Sequence, residues 1–375
     1  MPVPFTIESE FVVSARGRKF LPFNSQDEKE WSDPFVFIQA ADTQFGMQEH
    51  YVEGLATDYG WDKEIAWSRQ MISEVNAMSP RPKFMVVCGD LLDAWPHTEA
   101  EVRRQQEIDF KKVFADLEVP LVCVCGNHDV GNTPTPSTVA SYRKSFGDDY
   151  FSFWCNGVFF IVINTQFYED SSKCPELASD QEAWLEEQLE TVRREKPQHA
   201  VVFQHIPWFL NTPDEDKEYF NITEDLRKTM LERFHSAGIR HIFTGHYHRN
   251  AGGRYKDLEL VVTSAVGAQL GGDKPGYRVV KVLENSLEHK YYDLGTAPTE
   301  ITLPKPKKTL LKRSNSYKAP KTPRPAMART VSIADPSVLK QLLRASMLPY
   351  TLKTGIPDMP PPPWATFKSP KSRCR

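Results

Sequence analysis

A short apolar run at residues 121 to 125 ends abruptly in a glycine, an amide, an imidazole and a carboxylate, which are Gly126, Asn127, His128 and Asp129. A continuous apolar run of this length, bounded by Pro120 and a glycine, is typical of a strand buried on both faces. In open α/β sheets, ligands bind just beyond the carboxyl ends of the strands. The polar residues after this run therefore stand where an α/β sheet places its functional groups.

The same arrangement recurs four more times along the chain. The apolar runs 35–38, 84–87, 200–203 and 242–243 lead to Asp42, to Asp90, to His205, and to the pair His246 and His248. Taken alone, each polar residue has a structural explanation as a strand-end cap or a turn residue. Five such endings in one chain, all supplying oxygen or nitrogen donors, favour a shared site over five independent caps.

Helical spacing of apolar residues predicts helices between these strands. One predicted helix runs from 61 to 78 with Ile65, Ile72 and Val75 on one face, and a second carries Phe110 and Phe114 on its apolar face. Further helices are predicted from 179 to 189, where residues 179 to 182 have capping-box spacing, and from 224 to 236. The alternation of strands and helices predicts an α/β fold built from βαβ units.

A second sheet is predicted from the aromatic and apolar runs 150–154 and 158–163. The Asn156-Gly157 pair between them is typical of a hairpin turn. Two further runs, 258–263 and 277–282, are predicted to complete this second sheet as antiparallel strands. Residues 1–34 are predicted to be an irregular lead-in, and the folded region is predicted to end near Leu294.

The C-terminal part of the chain differs sharply in composition from the rest. Residues 297–375 contain 16 Lys and Arg against 3 Asp and Glu, together with 14 of the 29 prolines. Such a segment buries too little apolar surface to offset the entropy of its chain. We therefore predict a folded domain over residues 35–296 and a basic, Pro-rich, largely disordered tail over 297–375, with a short helix at 336–348. Serines that follow arginine by three residues, Ser316 and Ser332, suggest that the tail binds a kinase or a regulatory partner.

The chain also carries features that bear on its compartment. No run of 18 apolar residues is present for a membrane span, and the first thirty residues contain acidic side chains where a signal peptide has an uncharged core. The six cysteines show neither disulfide nor zinc-knuckle spacing. We therefore expect a cytoplasmic protein with reduced thiols, no membrane span and no nucleic-acid partner.

The polar strand endings suit a dinuclear metal site. Two divalent cations ~3.5 to 4 Å apart need a bridging carboxylate together with neutral imidazole and amide donors. The order Asp42, Gly89-Asp90, Gly126 to Asp129, His205 and Gly245 to His248 resembles the calcineurin-like metallophosphoesterases over roughly residues 35–293. Within that family the chain is most similar to a cytosolic serine/threonine-protein phosphatase branch. The resemblance implies a four-layer α/β/β/α sandwich with two packed mixed β-sheets.

The resemblance also implies a role for each candidate residue. Asp90 would bridge two divalent cations, which are Mn, Mg, Fe or Zn in this family. Asp42 and His248 would hold one cation, and Asn127, His205 and His246 would hold the other. His128 would stay outside the metal shell and protonate the leaving alkoxide, oriented by Asp93, while metal-bound hydroxide attacks phosphorus in line.

Gln44 is a departure from the wider family, because a metal-binding histidine is usual at its position. Its amide oxygen is neutral and a weaker donor than imidazole, so the cation held by Asp42 and His248 is expected to be the looser one. Oxygen-rich ligation would favour Mn²⁺ or Mg²⁺ there. Gln44 is therefore included among the candidate metal ligands. A second departure is Ala94-Trp95, which stands where the main phosphoprotein phosphatases have Arg-Gly.

Three functional classes remain compatible with these residues. They are a metal-dependent phosphomonoesterase acting on phosphoproteins as a serine/threonine phosphatase, a phosphodiesterase acting on nucleotides or lipids, and an inactive scaffold with the same fold. The presence of His128 favours an enzyme, because a scaffold needs no catalytic acid. Monoesterases and diesterases differ in the loops that admit one or two ester substituents, here residues 44–58, 129–136 and 207–220.

Overall fold

The computed structural model describes residues 10–23 and 25–304. The strands in this part are β1 (Ala15–Arg16), β2 (Lys19–Phe20), β3 (Phe35–Ala40), β4 (Met85–Cys88), β5 (Leu121–Val124), β6 (Phe151–Cys155), β7 (Val158–Val162), β8 (His199–Phe203), β9 (His241–Thr244), β10 (Ala251–Tyr255), β11 (Leu258–Val262), β12 (Gly276–Val282) and β13 (Leu287–Asp293). The helices are α1 (Asp62–Asn76), α2 (Ala100–Phe114), α3 (Asn127–Val130), α4 (Pro136–Ser145), α5 (Gln166–Glu169), α6 (Pro175–Glu195) and α7 (Glu224–Ala237). A 3₁₀ turn at Gln26–Lys29 and a π-helical turn at Gln48–Val52 complete the set.

The strands form two mixed sheets. The five-stranded sheet has the order β13-β12-β3-β4-β5, in which β3, β4 and β5 are parallel and β12 is antiparallel to β3. The eight-stranded sheet has the order β1-β2-β6-β7-β8-β9-β11-β10, with β7, β8, β9 and β11 parallel. In both sheets, the parallel strands end on the edge that carries the polar residues singled out above.

Alternate side chains of the central strands enter different apolar cores. In β3, Phe37 lies between the two sheets and stacks on Phe84 at 5.0 Å between ring centroids, whereas Ile38 packs with α1 and α2. On the far side, Ile161 of β7 packs with α6 and α7. Because three separate cores lie between four layers, the predicted α/β/β/α sandwich is confirmed.

The hairpin between β6 and β7 has the predicted turn. Asn156 and Gly157 have φ angles of 50° and 81°, the conformation that Asn-Gly favours in two-residue hairpins. The predicted helices at 61–78 and 224–236 correspond to α1 and α7. Local patterning therefore identified these elements.

The prediction that two later strands both complete the second sheet is wrong for one of them. β11 lies in the eight-stranded sheet beside β9, but β12 pairs with β3 in the five-stranded sheet. Burial on both faces, which holds for most of β12, does not reveal which neighbour a strand pairs with. The predicted start of a helix at Ser179 is also wrong, because α6 begins at Pro175, with proline in the first turn where it is tolerated.

Both ends of the predicted domain need correction. The lead-in is not irregular throughout, since β1 and β2 form a hairpin that extends the eight-stranded sheet and Phe20 is 1% exposed. After residue 296, Ser79 exchanges main-chain hydrogen bonds of 2.7 Å with Thr299 and Ile301, and Ile301 is buried. The first residues of the predicted tail thus belong to the folded body, because Ile301 adds to its core. The tail from 305, with the helix predicted at 336–348, lies outside the described residues.

Two further observations concern membrane-spanning helices and cysteines. Among residues 10–23 and 25–304, no helix is long and apolar enough to cross a membrane. The described cysteines, Cys88, Cys123, Cys125, Cys155 and Cys174, are all buried free thiols.

Candidate metal centre and active site

The candidate site lies at the edge where the parallel strands of both sheets end. Asp42 follows β3, Asp90 follows β4, and Asn127 and His128 follow β5 in the five-stranded sheet. From the eight-stranded sheet, β8 leads to His205 and β9 leads to His246 and His248. The structure thus brings together residues that are far apart in sequence.

The backbone at these strand ends is strained. Five candidate ligands have positive φ angles of 33° to 70°, a conformation uncommon for side chains other than glycine: Asp42, Gln44, Asp90, His246 and His248. Such strain persists only where the surrounding structure holds it, and it is concentrated at functional sites. The turns after the strands are therefore shaped to direct these side chains rather than to minimise backbone energy.

Two glycines allow the close approach of ligand side chains. A Cβ atom at Gly89 would lie 2.2 Å from Nδ1 of His205, and one at Gly126 would lie 2.1 Å from Oδ1 of Asp90. Both glycines precede a candidate ligand in the sequence. Any larger residue at these positions would displace a neighbouring candidate ligand.

Two buried carboxylates form the anionic part of the site. Asp42 is 0% exposed, and both of its oxygens accept the main-chain N–H of His246, at 3.1 and 3.0 Å. Asp90 is 2% exposed. Its Oδ1 accepts the main-chain N–H of His128 at 2.8 Å, and its Oδ2 lies 3.2 Å from Nε2 of His205. The two carboxylates are thus anchored by main-chain donors from different strand endings.

Each candidate histidine ligand has one ring nitrogen committed to a main-chain carbonyl. Nδ1 of His205 donates to Cys88 at 2.8 Å, and Nδ1 of His248 donates to Ala268 at 2.6 Å. In His246 it is Nε2 that faces a carbonyl, that of Tyr219 at 3.3 Å. Because a carbonyl only accepts, these nitrogens carry the proton, and whenever the ring is neutral its other nitrogen presents a lone pair. This is the arrangement that metal-binding histidines adopt.

The donor atoms converge on one place. One donor atom from each of Asp90, His205 and His246 lies within 4.8 Å of the others, a spacing suited to a metal ion. Oδ1 of Asn127 is 3.1 Å from Nε2 of His205, on the same side. Beside this group, Nε2 of His248 lies 3.5 Å from Oδ1 of Asp42. Asp90, His205 and His246 thus form a compact group of donors, Asn127 lies next to it, and Asp42 and His248 lie beside each other.

The electrostatics of the site favour a cation. Burial raises the pKa of Asp42 well above its usual range, and the neighbouring Asp90 raises it further. Burial alone would raise the pKa of Asp90 too, but the charges of His205 and His128 hold it below its usual value. Burial also lowers the pKa of His248 to about 4, so this imidazole is neutral. Burial lowers the pKa of His205, but the carboxylates of Asp90 and Asp42 and the hydrogen bonds of the ring together outweigh it and raise this pKa to about 9, so positive charge is favoured beside the two carboxylates. Divalent metals supply positive charge to donors of this kind.

Gln44 is a further candidate ligand with a buried side chain. It is 1% exposed, and its Nε2 donates to Oδ1 of Asp93 at 3.2 Å. That bond fixes the amide orientation and leaves Oε1 buried with no hydrogen-bond partner in the described part of the chain. A buried oxygen without a partner costs about 1–3 kcal/mol. A metal ion would satisfy this atom, so the residues present fit the cofactor that the family implies.

His128 lies beside the donor groups with its ring held on two sides. Its Nδ1 donates to the main-chain oxygen of Asp93 at 2.5 Å, and the Asp93 carboxylate is farther away, with Oδ1 at 3.7 Å. The indole of Trp95 stacks on the imidazole at 4.1 Å, and Tyr51 meets it edge to face at 6.4 Å. Asp93 therefore contacts His128 through its main-chain oxygen, and its carboxylate lies farther from the ring.

Several residues of the site were not identified from sequence. Tyr219 contacts both Asn127, through its hydroxyl at 3.3 Å, and His246. It lies in the loop 207–220 that the sequence marked without singling out a residue. Arg103 on α2 donates to the main-chain oxygens of Ala94, His128 and Asp129 at 2.7 to 3.0 Å. Nothing in the helical pattern of α2 distinguishes Arg103 from its exposed neighbours.

Known proteins resemble this chain in sequence as well as in fold. The family model described as calcineurin-like phosphoesterase matches residues 35–250. The chain is 48% identical over 284 residues to the serine/threonine-protein phosphatase CPPED1 of Bos taurus, a match that covers 75% of this chain and 90% of that protein. The protein of the same name in Homo sapiens is 48% identical over 285 residues, with the same coverage.

A solved structure shares the fold at much lower identity. The purple acid phosphatase PPD1 from seeds of yellow lupin (Lupinus luteus) has a TM-score of 0.50 and 13% identity, over 71% of this chain and 52% of that chain. The family match spans more than half of the chain, and the phosphatase relatives are similar over nearly their full length. The chain therefore belongs to the calcineurin-like phosphoesterase family.

Proposed function

We propose that this protein is a metal-dependent phosphomonoesterase that removes phosphate from serine and threonine residues of phosphoproteins. Relatives with 48% identity are named as phosphatases of this specificity. The observation that carries the proposal is the position of His128, a histidine of fixed tautomer beside two buried carboxylates and three neighbouring imidazoles. A binding scaffold has no use for such a residue.

The proposed ligands divide between two divalent cations, drawn from Mn, Mg, Fe and Zn. Asp90 would contact both, Asn127, His205 and His246 would complete one set, and Asp42, His248 and Gln44 would complete the other. When bound, such cations supply Lewis acidity and a water of lowered pKa. The unpaired Oε1 of Gln44 supports its inclusion.

His128 is the proposed general acid. Because its Nδ1–H is held by the main-chain oxygen of Asp93, the proton available to a substrate is the one on Nε2 of the imidazolium. That proton would pass to the ester oxygen as the bond between phosphorus and this oxygen breaks. The stacked indole of Trp95 keeps the ring plane fixed.

Aromatic side chains on both sides of the site support a monoester over a diester substrate. Tyr51 and Trp95 border His128, whereas Tyr219 and Phe220 border His246 at 5.3 and 5.4 Å between ring centroids. A second ester substituent would have to fit between these rings. Hydrolysis of diesters of nucleotides or lipids remains the alternative function.

We further propose a cytoplasmic location and a regulatory role for the tail. The five buried free thiols in the described region support a reducing compartment. The basic tail, with Arg313 and Arg329 each three residues before a serine, is proposed to bind a kinase or regulatory partner.

The proposal is tested with the purified full-length protein loaded with Mn²⁺. We expect it to hydrolyse phosphoserine and phosphothreonine peptides far faster than bis(p-nitrophenyl) phosphate. The H128N variant is expected to retain its metals and lose roughly 10²- to 10⁴-fold in kcat, whereas H235N, near the C-terminal end of α7, should match the wild type. A preference for the diester would favour the alternative function, and metal binding without any turnover would favour a scaffold.

A further inference from the structure

Asp93 contacts two proposed active-site residues through different atoms. Its main-chain oxygen accepts the Nδ1–H of His128 at 2.5 Å, and its Oδ1 accepts the amide N–H of Gln44 at 3.2 Å. Its other carboxylate oxygen, Oδ2, lies 2.8 Å from Nδ1 of His50. The placement of this one residue therefore sets the orientation of both the proposed acid and the proposed ligand amide.

The Asp93 carboxylate needs a partner because it is buried. A buried carboxylate without a partner is strongly destabilising. His50 provides the partner from the rim of the site, since its side chain is 20% exposed while that of Asp93 is 0% exposed. The hydrogen bond to Asp93 raises the pKa of His50, as expected for an imidazole beside a buried carboxylate. The carboxylate is thus satisfied without drawing on the imidazole of His128.

His50 is itself held by a ring of contacts. Its imidazole stacks flat on Tyr59, at 4.4 Å and an interplanar angle of 1°. The Tyr59 hydroxyl donates to Glu99 at 2.9 Å, and Glu99 accepts the main-chain N–H of Trp95 at 3.0 Å. The indole of Trp95 then stacks on His128. The orientation of His50 is therefore set by groups other than the carboxylate that it binds.

We propose that His50 is a positioning residue of the active site that acts through Asp93, an inference that rests on the proposed phosphomonoesterase function. By holding Oδ2, His50 turns Oδ1 towards Gln44 and keeps the main chain of Asp93 against Nδ1 of His128. Without this donor the carboxylate rotates and competes for the Nδ1 proton of His128. The acid then loses its single orientation towards the ester oxygen.

Two substitutions separate the hydrogen bond of His50 from its packing. H50F keeps a ring that stacks on Tyr59 and removes the donor. H50N keeps a donor, because the asparagine amide takes the place of Nδ1–H, and removes the ring. The matched control is H235F, since His235 also pairs with a carboxylate, that of Asp257 at 2.5 Å, but with a 63% exposed partner.

The kinetic measurement is the dependence of kcat on the leaving group of the substrate. Rates of the full-length, Mn²⁺-loaded variants are compared on p-nitrophenyl phosphate and on phenyl phosphate, whose leaving group is poorer and depends more on protonation. We expect H50F to lose ~10- to 100-fold in kcat on phenyl phosphate, with a smaller loss on p-nitrophenyl phosphate and little change in KM. H50N should recover most of this kcat, and H235F should match the wild type.

A second readout uses the metal-free protein. Long-range ¹H–¹⁵N spectra report which nitrogen of His128 carries the proton. We expect the Nδ1–H form in the wild type and in H50N, and mixed tautomers in H50F. Equal kcat losses on both substrates in H50F, an H50N variant as slow as H50F, or wild-type His128 signals in H50F would overturn the inference. Absence of turnover by the wild type would contradict the proposed function instead, and the spectra would still test His50.

Discussion

Replacing Gly126 with alanine is expected to weaken the metal centre by displacing Asp90. The φ angle of Gly126 is −109°, which suits any residue, so the effect is purely steric. The added Cβ would lie 2.1 Å from Oδ1 and 2.3 Å from the main-chain nitrogen of Asp90, below the 3.0 Å that real Cβ atoms respect. Both the main chain and the carboxylate of Asp90 must therefore shift.

The magnitude follows from the contacts that the carboxylate would lose. Its Oδ1 accepts the N–H of His128 at 2.8 Å, a charged hydrogen bond worth about 1.5–3 kcal/mol. Overpacking adds about 1–3 kcal/mol of strain. About 1.4 kcal/mol corresponds to a factor of ten, so losing the hydrogen bond that orients Oδ1 should lower Mn²⁺ affinity ~10- to 100-fold. The overpacking strain should lower the thermal midpoint of the metal-free protein by several degrees.

Calorimetric titration with Mn²⁺ and thermal unfolding with and without metal measure both effects. G272A is the control, because no atom lies within 4 Å of a Cβ at Gly272, and it should bind Mn²⁺ as the wild type does. If G126A also binds Mn²⁺ with wild-type affinity, the carboxylate of Asp90 does not contact the cation, and the assignment of a bridging ligand fails.

Three further perturbations test other parts of the structure. Q44H should raise the affinity for the more weakly bound cation and shift the preference of that position towards zinc or iron, whereas the exposed control Q105H should change neither. If a metal titration of Q44H shows unchanged affinity and an unchanged order of preferred metals, Gln44 is not a ligand. Burial raises the pKa of Glu64 from 4.5 to about 7, so wild-type stability should fall as pH rises through this interval, and E64Q should escape that loss. In denaturant unfolding, the free energy of unfolding of E64Q relative to that of the wild type should increase by ~1–3 kcal/mol between about pH 5 and pH 8. A difference that does not depend on pH would argue against a protonated Glu64. Deleting residues 305–375 should leave hydrolysis of p-nitrophenyl phosphate intact, whereas deletion from 297 also removes the buried Ile301 and should lower the thermal midpoint; loss of activity in the shorter deletion would place the tail in the active domain.

Much of the architecture was predictable because its signals are local. An apolar run and the polar residue that ends it are adjacent in sequence, and a strand buried on both faces leaves functional groups only at its ends. This is why the amino-acid sequence alone identifies the endings at Asp42, Asp90, Asn127, His205 and His246. The Asn156-Gly157 turn and the apolar face of α1 are signals of the same local kind.

Other features depend on residues that are distant in the chain. The pairing of β12 with β3 is a choice between neighbours that offer similar apolar surfaces, so the burial pattern of β12 could not decide it. The same holds for the segment at Thr299 and Ile301, which contacts the body through main-chain hydrogen bonds to Ser79.

Within the site, the sequence determined which kinds of donor are present, and tertiary structure decided how each one is used. The proton-bearing nitrogen of His205 is set by the carbonyl of Cys88, and the free amide oxygen of Gln44 is set by Asp93. The pairing of His50 with Asp93 likewise joins a π-helical turn to the loop after β4. The identity of a side chain sets which hydrogen bonds it is able to form, but only the packing of separate elements brings the particular partner within about 3 Å.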